Sequence, residues 1–265
     1  MQKIFGLVAA MAMIVAMLIT SFEIAIYSDY GWYQKEYEKY QVLDDLEMEM
    51  QDVMDVTEEM MAYLRGDRKN LEVKTVIAGE EGMFFNEREK LHMEDVQGLF
   101  LGGIQIRRVA FVIFAAAVLL ILFQKGNLRE ILPQMYGWAV GLFLGVAAVF
   151  GGLVAIDFNK YFVLFHEIFF NNDLWLLDPA TDLLIRMLPE GFFFDMVIRI
   201  GVIFIGSLLI LWGAGGTLET GQSEEKIIAL IFLISKLSYI NYTNDLNCGR
   251  IQIEESIRRN GGYYE

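Results

Sequence analysis

Two histidines, His92 and His166, are the only imidazoles in a chain of 265 residues, and each has a carboxylate close by in sequence. Imidazole is the one side chain whose ordinary pKa lets it both take and give a proton near neutral pH. His92 and Asp95 are three apart, a spacing that on a helix would let the carboxylate reach the ring and fix its tautomer. His166 is followed by Glu167, but the second histidine of a His-Glu-x-x-His zinc site is missing. Two histidines with a carboxylate can still hold one metal ion, although nothing in the spacing favours it. No Gly-x-Ser-x-Gly elbow is present and the lone Cys248 lies near the end of the chain, so serine and cysteine nucleophiles are unsupported. One cysteine also excludes an intrachain disulfide framework. The residues point to general acid–base work by a histidine pair, or to packing histidines that do no chemistry at all.

The elements around those histidines are set by how the apolar residues are distributed. They make up 55% of the chain, with a formal charge of −14, and a mean hydropathy of +0.40 alongside 21% charged residues means the two kinds are segregated into blocks. Ile4 to Phe22 is 19 uncharged residues, about 28 Å of helix and close to the hydrocarbon thickness of a bilayer. Ala10-Met11-Ala12 has the small residues of a signal-peptidase site, but the run continues well past it, so an uncleaved anchor is the better reading. Val109 to Phe123, Met135 to Ile156 and Met196 to Ala214 are three more candidate spans. The expectation is an all-α membrane protein of four transmembrane helices, with a mostly helical extracytoplasmic domain, a possible short β-hairpin, and interfacial helices. Its parts are a first span over 1–27, an extracytoplasmic domain over 28–106, a second span over 107–124 and a cytoplasmic loop over 125–134. A third span follows over 135–156, an interfacial loop over 157–195, a fourth span over 196–214 and a cytoplasmic tail over 215–265. Lys3, Lys125 and Arg129 favour a cytoplasmic side for the N-terminus and the short loop, while Arg107, Arg108 and Arg199 pull the other way. The region 28–106 then lies outside, carrying 19 acidic against 8 basic residues. Such an acidic balance argues against a nucleic-acid partner.

Leu43, Leu46, Met50, Val53, Thr57, Met60 and Leu64 recur at alternating spacings of three and four, which predicts one amphipathic helix ended by Gly66. Its opposite face is anionic and reads as solvated. Leu71 to Ile77 alternates as a strand, with Gly79 and Gly82 as turn residues. Asn86 and Glu89 have capping-box spacing for a helix that carries His92, and Gly102-Gly103 is a candidate break in it. Phe158, Phe162, Phe165 and Phe169 form one stripe that, with Trp175, suits the headgroup level of a bilayer. Both histidines fall on the external side next to a span, so a bundle can bring them together.

Two stretches carry a family likeness. The first is Ala62-Tyr63-Leu64-Arg65-Gly66 followed by Phe85-Asn86-Glu87-Arg88-Glu89-x-x-His92-Met93-x-Asp95-Val96-x-x-Leu99-Phe100. The second is Phe165-His166-x-x-Phe169-Phe170-Asn171-Asn172-Asp173-x-Trp175-x-x-Asp178-Pro179-x-x-Asp182, continued by Pro189 to Phe193. Together they resemble the two His-centred motifs of the lipoprotein intramolecular transacylases (Lit), over roughly residues 1–215; the tail does not match. The resemblance implies an acyltransferase of the plasma membrane of Gram-positive bacteria, multi-pass, with its site facing the extracytoplasmic leaflet. Its partners would be diacylglyceryl-modified lipoproteins and membrane lipid. The reaction implied is transfer of the sn-2 acyl chain from glycerol to the α-amine of the N-terminal cysteine, giving the lyso-form N-acyl S-monoacylglyceryl lipoprotein.

The resemblance makes His92 and His166 the catalytic pair, with no cofactor and no metal. We assign His166 as base and His92 as oxyanion or leaving-group partner. Asp95 would orient His92, and Arg88, Arg107 or Arg108 would meet lipid phosphate or pair with the acidic loop. Trp175 and the Phe158–Phe170 stripe would shape an acyl cleft, and Asp178 is a further supporting residue. Direct aminolysis and an acyl-imidazole intermediate are both compatible with the sequence. The main rival is a non-enzymatic sensor or scaffold using the acidic external domain. A transporter would want ionisable residues in mid-span, which Ile4–Phe22 and Met135–Ile156 lack.

Overall fold

The computed structural model describes residues 1–218, with side chains through residue 213. Residues beyond 218, most of the expected tail, lie outside the described part. Four helices are long and apolar enough to cross a membrane: α1 (Gln2–Tyr27), α5 (Glu87–Phe123), α6 (Leu128–Ile156) and α9 (Glu190–Leu218). The protein is an all-α, multi-pass membrane protein with one small sheet. Between α1 and α5 lie α2 (Tyr30–Lys39), α3 (Val42–Leu46), α4 (Met50–Arg65) and the strands β1 (Lys74–Ile77) and β2 (Glu80–Met83). Between α6 and α9 lie α7 (Phe158–Phe169) and α8 (Leu183–Met187).

Small residues let α1 sit close to its neighbours. Gly6, Ala9, Ala10 and Ala16 are buried, and a Cβ added at Gly6 would lie 2.6 Å from Ile131 Cγ2 and 2.8 Å from Met135 Cγ, both on α6. Such close approach stands in for a hydrophobic driving force where the solvent is itself apolar. Arg107 of α5 donates to Glu23 of α1, so a charge in each helix neutralises the other. Tyr136 of α6 donates to the Leu208 carbonyl of α9 at 3.1 Å. Outward-facing Val112, Leu119, Val146 and Ile210 are exposed, as a lipid-facing surface requires.

Helix α5 has 37 residues, about 55 Å against a hydrocarbon core of about 30 Å. Its uncharged C-terminal half accounts for the core, so the first four turns, with His92, stand clear of it. Gly102-Gly103 does not break the helix, although each glycine costs about 1 kcal/mol relative to alanine in a helix interior. A Cβ added at Gly103 would meet Ile19 of α1 at an ordinary 3.9 Å, and one at Gly102 would meet nothing within 4 Å. The loop between α5 and α6 is also shorter than expected. It covers only 124–127, because Asn127 caps the Arg129 N–H and α6 begins five residues before Pro133, early enough for that proline to be tolerated.

The domain between α1 and α5 has its own core of Tyr33, Tyr37, Val53, Met60, Phe84 and Phe85, joined by Met187 of α8 and Phe192 of α9. The single amphipathic helix expected from Leu43 to Leu64 is instead two. Glu47 takes a left-handed φ of 54°, and its carbonyl accepts the Ala78 N–H from the hairpin turn at 3.0 Å. That tertiary bond fixes a break which the periodicity runs through. Gly66, at φ 88°, ends α4 in a Schellman-type closure with Asp67 N–H on the Ala62 carbonyl. The hairpin pairs Lys74 with Met83 and Ile77 with Glu80. Its turn is Ala78-Gly79, both at positive φ, whereas Gly82 lies within β2 opposite Thr75.

Candidate functional site

The site begins at the first turn of α5. Asn86 accepts the Glu89 N–H at 3.0 Å and Glu89 Oε2 accepts the Asn86 N–H at 2.7 Å, which closes the capping box. The remaining valences of that box reach across the molecule. Glu89 Oε1 accepts the Leu184 N–H at 2.6 Å, and Asn86 Nδ2 donates to Asp182 Oδ1 at 2.7 Å. Two turns further along α5, Asp95 Oδ2 accepts from Asn172 Nδ2 at 2.8 Å. Arg88 donates to the Asp173 carbonyl. One face of α5 thereby holds the segment 171–184, which follows α7, by its polar groups.

This fastening brings His166, in the last turn of α7, to His92. The ring centroids are 6.2 Å apart and inclined at 34°, and both residues are more than nine-tenths buried. Aromatic faces enclose them: Trp175 stacks on His166 at 4.9 Å, Phe162 lies 4.4 Å from it, and Phe170 stands 5.5 Å from His166 and 5.4 Å from His92.

Hydrogen bonding fixes one tautomer. His166 Nδ1 lies 2.7 Å from the Phe162 carbonyl, which can only accept, so Nδ1 carries the proton. Burial pushes the His166 pKa down, partly opposed by that carbonyl. The ring is therefore neutral at pH 7, with the lone pair on Nε2. Burial also pushes His92 down, to about 4, with His166 and Arg88 adding to the effect and Asp95 opposing it. His92 Nδ1 is buried and has no hydrogen-bond partner among the described residues. An unmet buried polar atom costs about 1–3 kcal/mol unless something arrives to meet it. Glu89 is held up by burial, partly offset by the N–H groups of Leu184 and Asn86. For Asp182 burial is outweighed by donors from Asp178, Asn86 and Thr181, which keep its carboxyl low.

The other residues singled out from the sequence divide. Trp175 is in the site, stacked on His166. Arg88 is beside it, bound to a backbone carbonyl and acting on His92 through its charge. Asp95 does not hydrogen-bond His92; Asn172 takes its carboxylate instead, and only its charge reaches the ring. Asp178 serves its own turn, accepting the Ala180 N–H at 2.9 Å and donating its N–H to Asp182. Phe162 and Phe170 enter as walls of the box, and Glu89 as the carboxylate that joins α5 to α8. The capping box was legible as local spacing, but the partner of its second oxygen lies 95 residues away. No group of three or more His, Cys, Asp or Glu side chains among the described residues is arranged to hold a metal ion.

A family model described as lipoprotein intramolecular transacylase Lit matches residues 7–193 of the chain. No curated protein matches it. Among solved structures, the integral membrane Lit of Bacillus cereus aligns with a TM-score of 0.67 at 20% identity, covering 82% of this chain and 95% of that one. A histidine-to-alanine variant of the same protein aligns at 0.63, also at 20% identity and 82% of this chain, with 93% of that one covered. A histidine-to-arginine variant aligns at 0.66 and 19% identity, covering 86% of this chain and 95% of that one.

Proposed function

The chain belongs to the lipoprotein intramolecular transacylase family, and from that premise we propose that it moves the sn-2 acyl chain of a diacylglyceryl lipoprotein onto the α-amine of the lipoprotein's N-terminal cysteine. The observation that carries this reading is the pair of buried, neutral imidazoles 6.2 Å apart, one with a free Nε2 lone pair and the other with an unmet nitrogen.

An α-ammonium has a pKa of about 7.7–8.0, so at neutral pH only a minority of the substrate is nucleophilic. His166 Nε2 takes the proton as the amine nitrogen attacks the sn-2 ester carbonyl. The N–C bond forms, the carbonyl oxygen becomes an oxyanion, and His92 donates to it from a ring N–H. Collapse of the intermediate breaks the bond to glycerol O2, which receives the proton held by His166. An ester becomes an amide, with no external donor of energy or acyl groups. Nucleophile and ester belong to one molecule, and well-oriented intramolecular reactions reach effective molarities of about 10⁵ M or more. The enzyme's task is to fold the two reacting ends together in a dry box.

The reading puts the site at the extracytoplasmic face of a bacterial plasma membrane. Two features support this: the acidic external domain sits over the histidines, and Lys3, Lys125 and Arg129 cluster at the opposite ends of the spans. The aromatic wall of α7, with Phe165 and Phe169 half exposed, offers acyl chains a way in from the leaflet. The test is expression in a bacterium that lacks lipoprotein N-acylation, followed by tandem mass spectrometry of a reporter lipoprotein's N-terminal peptide. An N-acyl, S-monoacylglyceryl peptide is expected; an unchanged diacylglyceryl peptide from a folded, membrane-inserted enzyme would refute the assignment.

A further inference from the structure

Arg88, His92 and Asp95 are spaced four and three apart and so share one face of α5. The face runs from a cation at its solvent end, past a neutral ring, to an anion at its membrane end. Asp95 is half buried, and no Lys or Arg among the described residues pairs with it. Its one hydrogen-bond donor, the Asn172 amide, is neutral and engages only Oδ2. Asn172 follows by two residues Phe170, whose ring touches both histidines. Neither histidine supplies a counter-charge, since both rings are neutral at pH 7. Part of its surface is open to solvent, so a cationic ligand can reach the carboxylate.

We propose that Asp95, held in place by Asn172, is the subsite that captures the α-ammonium of the incoming lipoprotein; one ammonium proton passes to water, and the neutral amine is presented to His166. This rests on the transacylase reading and adds the residue that selects a free N-terminus. Arg88, bound to the Asp173 carbonyl, repels an ammonium from the other end of the face, so the amine settles toward the membrane and the peptide leaves toward solvent. The charged and titratable groups around the bound amine are thus Arg88, His92 and Asp95 on α5, His166 on α7, and Asp173 and Asp182 in the segment that follows.

The test uses synthetic diacylglyceryl-cysteine lipopeptides with the full-length enzyme in nanodiscs. Binding is measured with diether analogues, which cannot transfer an acyl chain, in free-amine and N-acetylated forms. Wild type is expected to prefer the free amine at least tenfold. Asp95→Asn, which keeps an acceptor for Asn172, abolishes that preference, and Asp95→Glu retains part of it. With the transferable ester, Asp95→Asn raises KM about tenfold or more at pH 7, with a smaller change in kcat, and the gap narrows at pH 9, where the amine is already neutral. Equal binding of the two analogues to wild type, or an unchanged preference in Asp95→Asn, overturns the proposal. The wild-type comparison needs no variant, so poor folding of Asp95→Asn cannot shield the idea. Failure of wild type to convert the ester would instead refute the transacylase reading, and the two failures are separate measurements.

Discussion

Buried polar groups sit among aromatic rings in two regions of this molecule, and they are treated in opposite ways. In the core of the domain between α1 and α5, Tyr37 bonds Thr57 Oγ1 at 2.7 Å, Thr57 in turn donates to the Val53 carbonyl at 2.8 Å, and Tyr33 donates to the Ile26 carbonyl at 3.0 Å. Glu89, with no accessible surface, has a backbone N–H for each oxygen. One turn along the same helix, His92 is almost as deeply buried and its Nδ1 has nothing. Tyr27 Oη, Glu36 Oε2 and Arg199 Nη1 also lack a hydrogen bond among the described residues. But Glu36 lies 3.6 Å from Lys39, Arg199 3.7 Å from Asp29 and Tyr27 under the Arg65 guanidinium, whereas His92 Nδ1 sits among neutral rings. The sign of a site here is a missing partner beside many that are present.

The contrast can be tested from the largest effect downward. His166→Ala and His92→Ala should each cut N-acylated product by about 10²–10⁴-fold, the range for loss of an acid–base group, with little change in thermal midpoint in detergent. If either variant unfolds, the histidines belong with the packing groups and the comparison fails. Acid should separate the two regions next. His92 titrates at about 4 when folded against about 6.5 when unfolded, so the unfolded chain takes up the proton first as pH falls. Stability is complete above pH 6.5 and declines toward pH 4, by on the order of 3 kcal/mol. His92→Gln should remove that share of the slope in pH-dependent denaturation.

Glu89→Ala should cost about 2–3 kcal/mol, since two buried N–H groups lose their acceptor. Glu89→Gln, which preserves the capping box and loses the acceptor for Leu184, should cost less; equal losses would mean the capping-box bond to Asn86 contributes nothing. The smallest effect expected is Thr57→Val, at about 1 kcal/mol from one broken link in the Tyr37 chain, with product yield unchanged. Chemical unfolding with a parallel mass-spectrometric assay reads both quantities.

Much of this was legible in the sequence because it is local. The four spans follow from uncharged length, the capping box from the spacing of Asn86 and Glu89, and the hairpin from alternation ended by Gly79. The histidine pair was visible because only two exist and both fall beside spans on one side. What escaped depends on contacts between distant residues. Periodicity runs unbroken through Glu47, and only the Ala78 N–H, 31 positions on, shows why the helix stops there. Gly102-Gly103 looks like a break, yet α5 runs through both without interruption. Asp95 looked like the partner of His92 because helical neighbours can be read from spacing, whereas Asn172, its actual partner, is 77 residues away.

The unbroken course of α5 from ectodomain to the far end of its span makes it a ruler. A helix fixes height and azimuth together, at about 1.5 Å and 100° per residue. The level of His92 relative to the bilayer is thus set by a count of residues rather than by the pliancy of a loop. One residue inserted between Val96 and Gly103 would swing the histidine about a quarter of a turn away from α7. Seven inserted together would restore its bearing but lift it about 10 Å, out of reach of an ester anchored at the glycerol level.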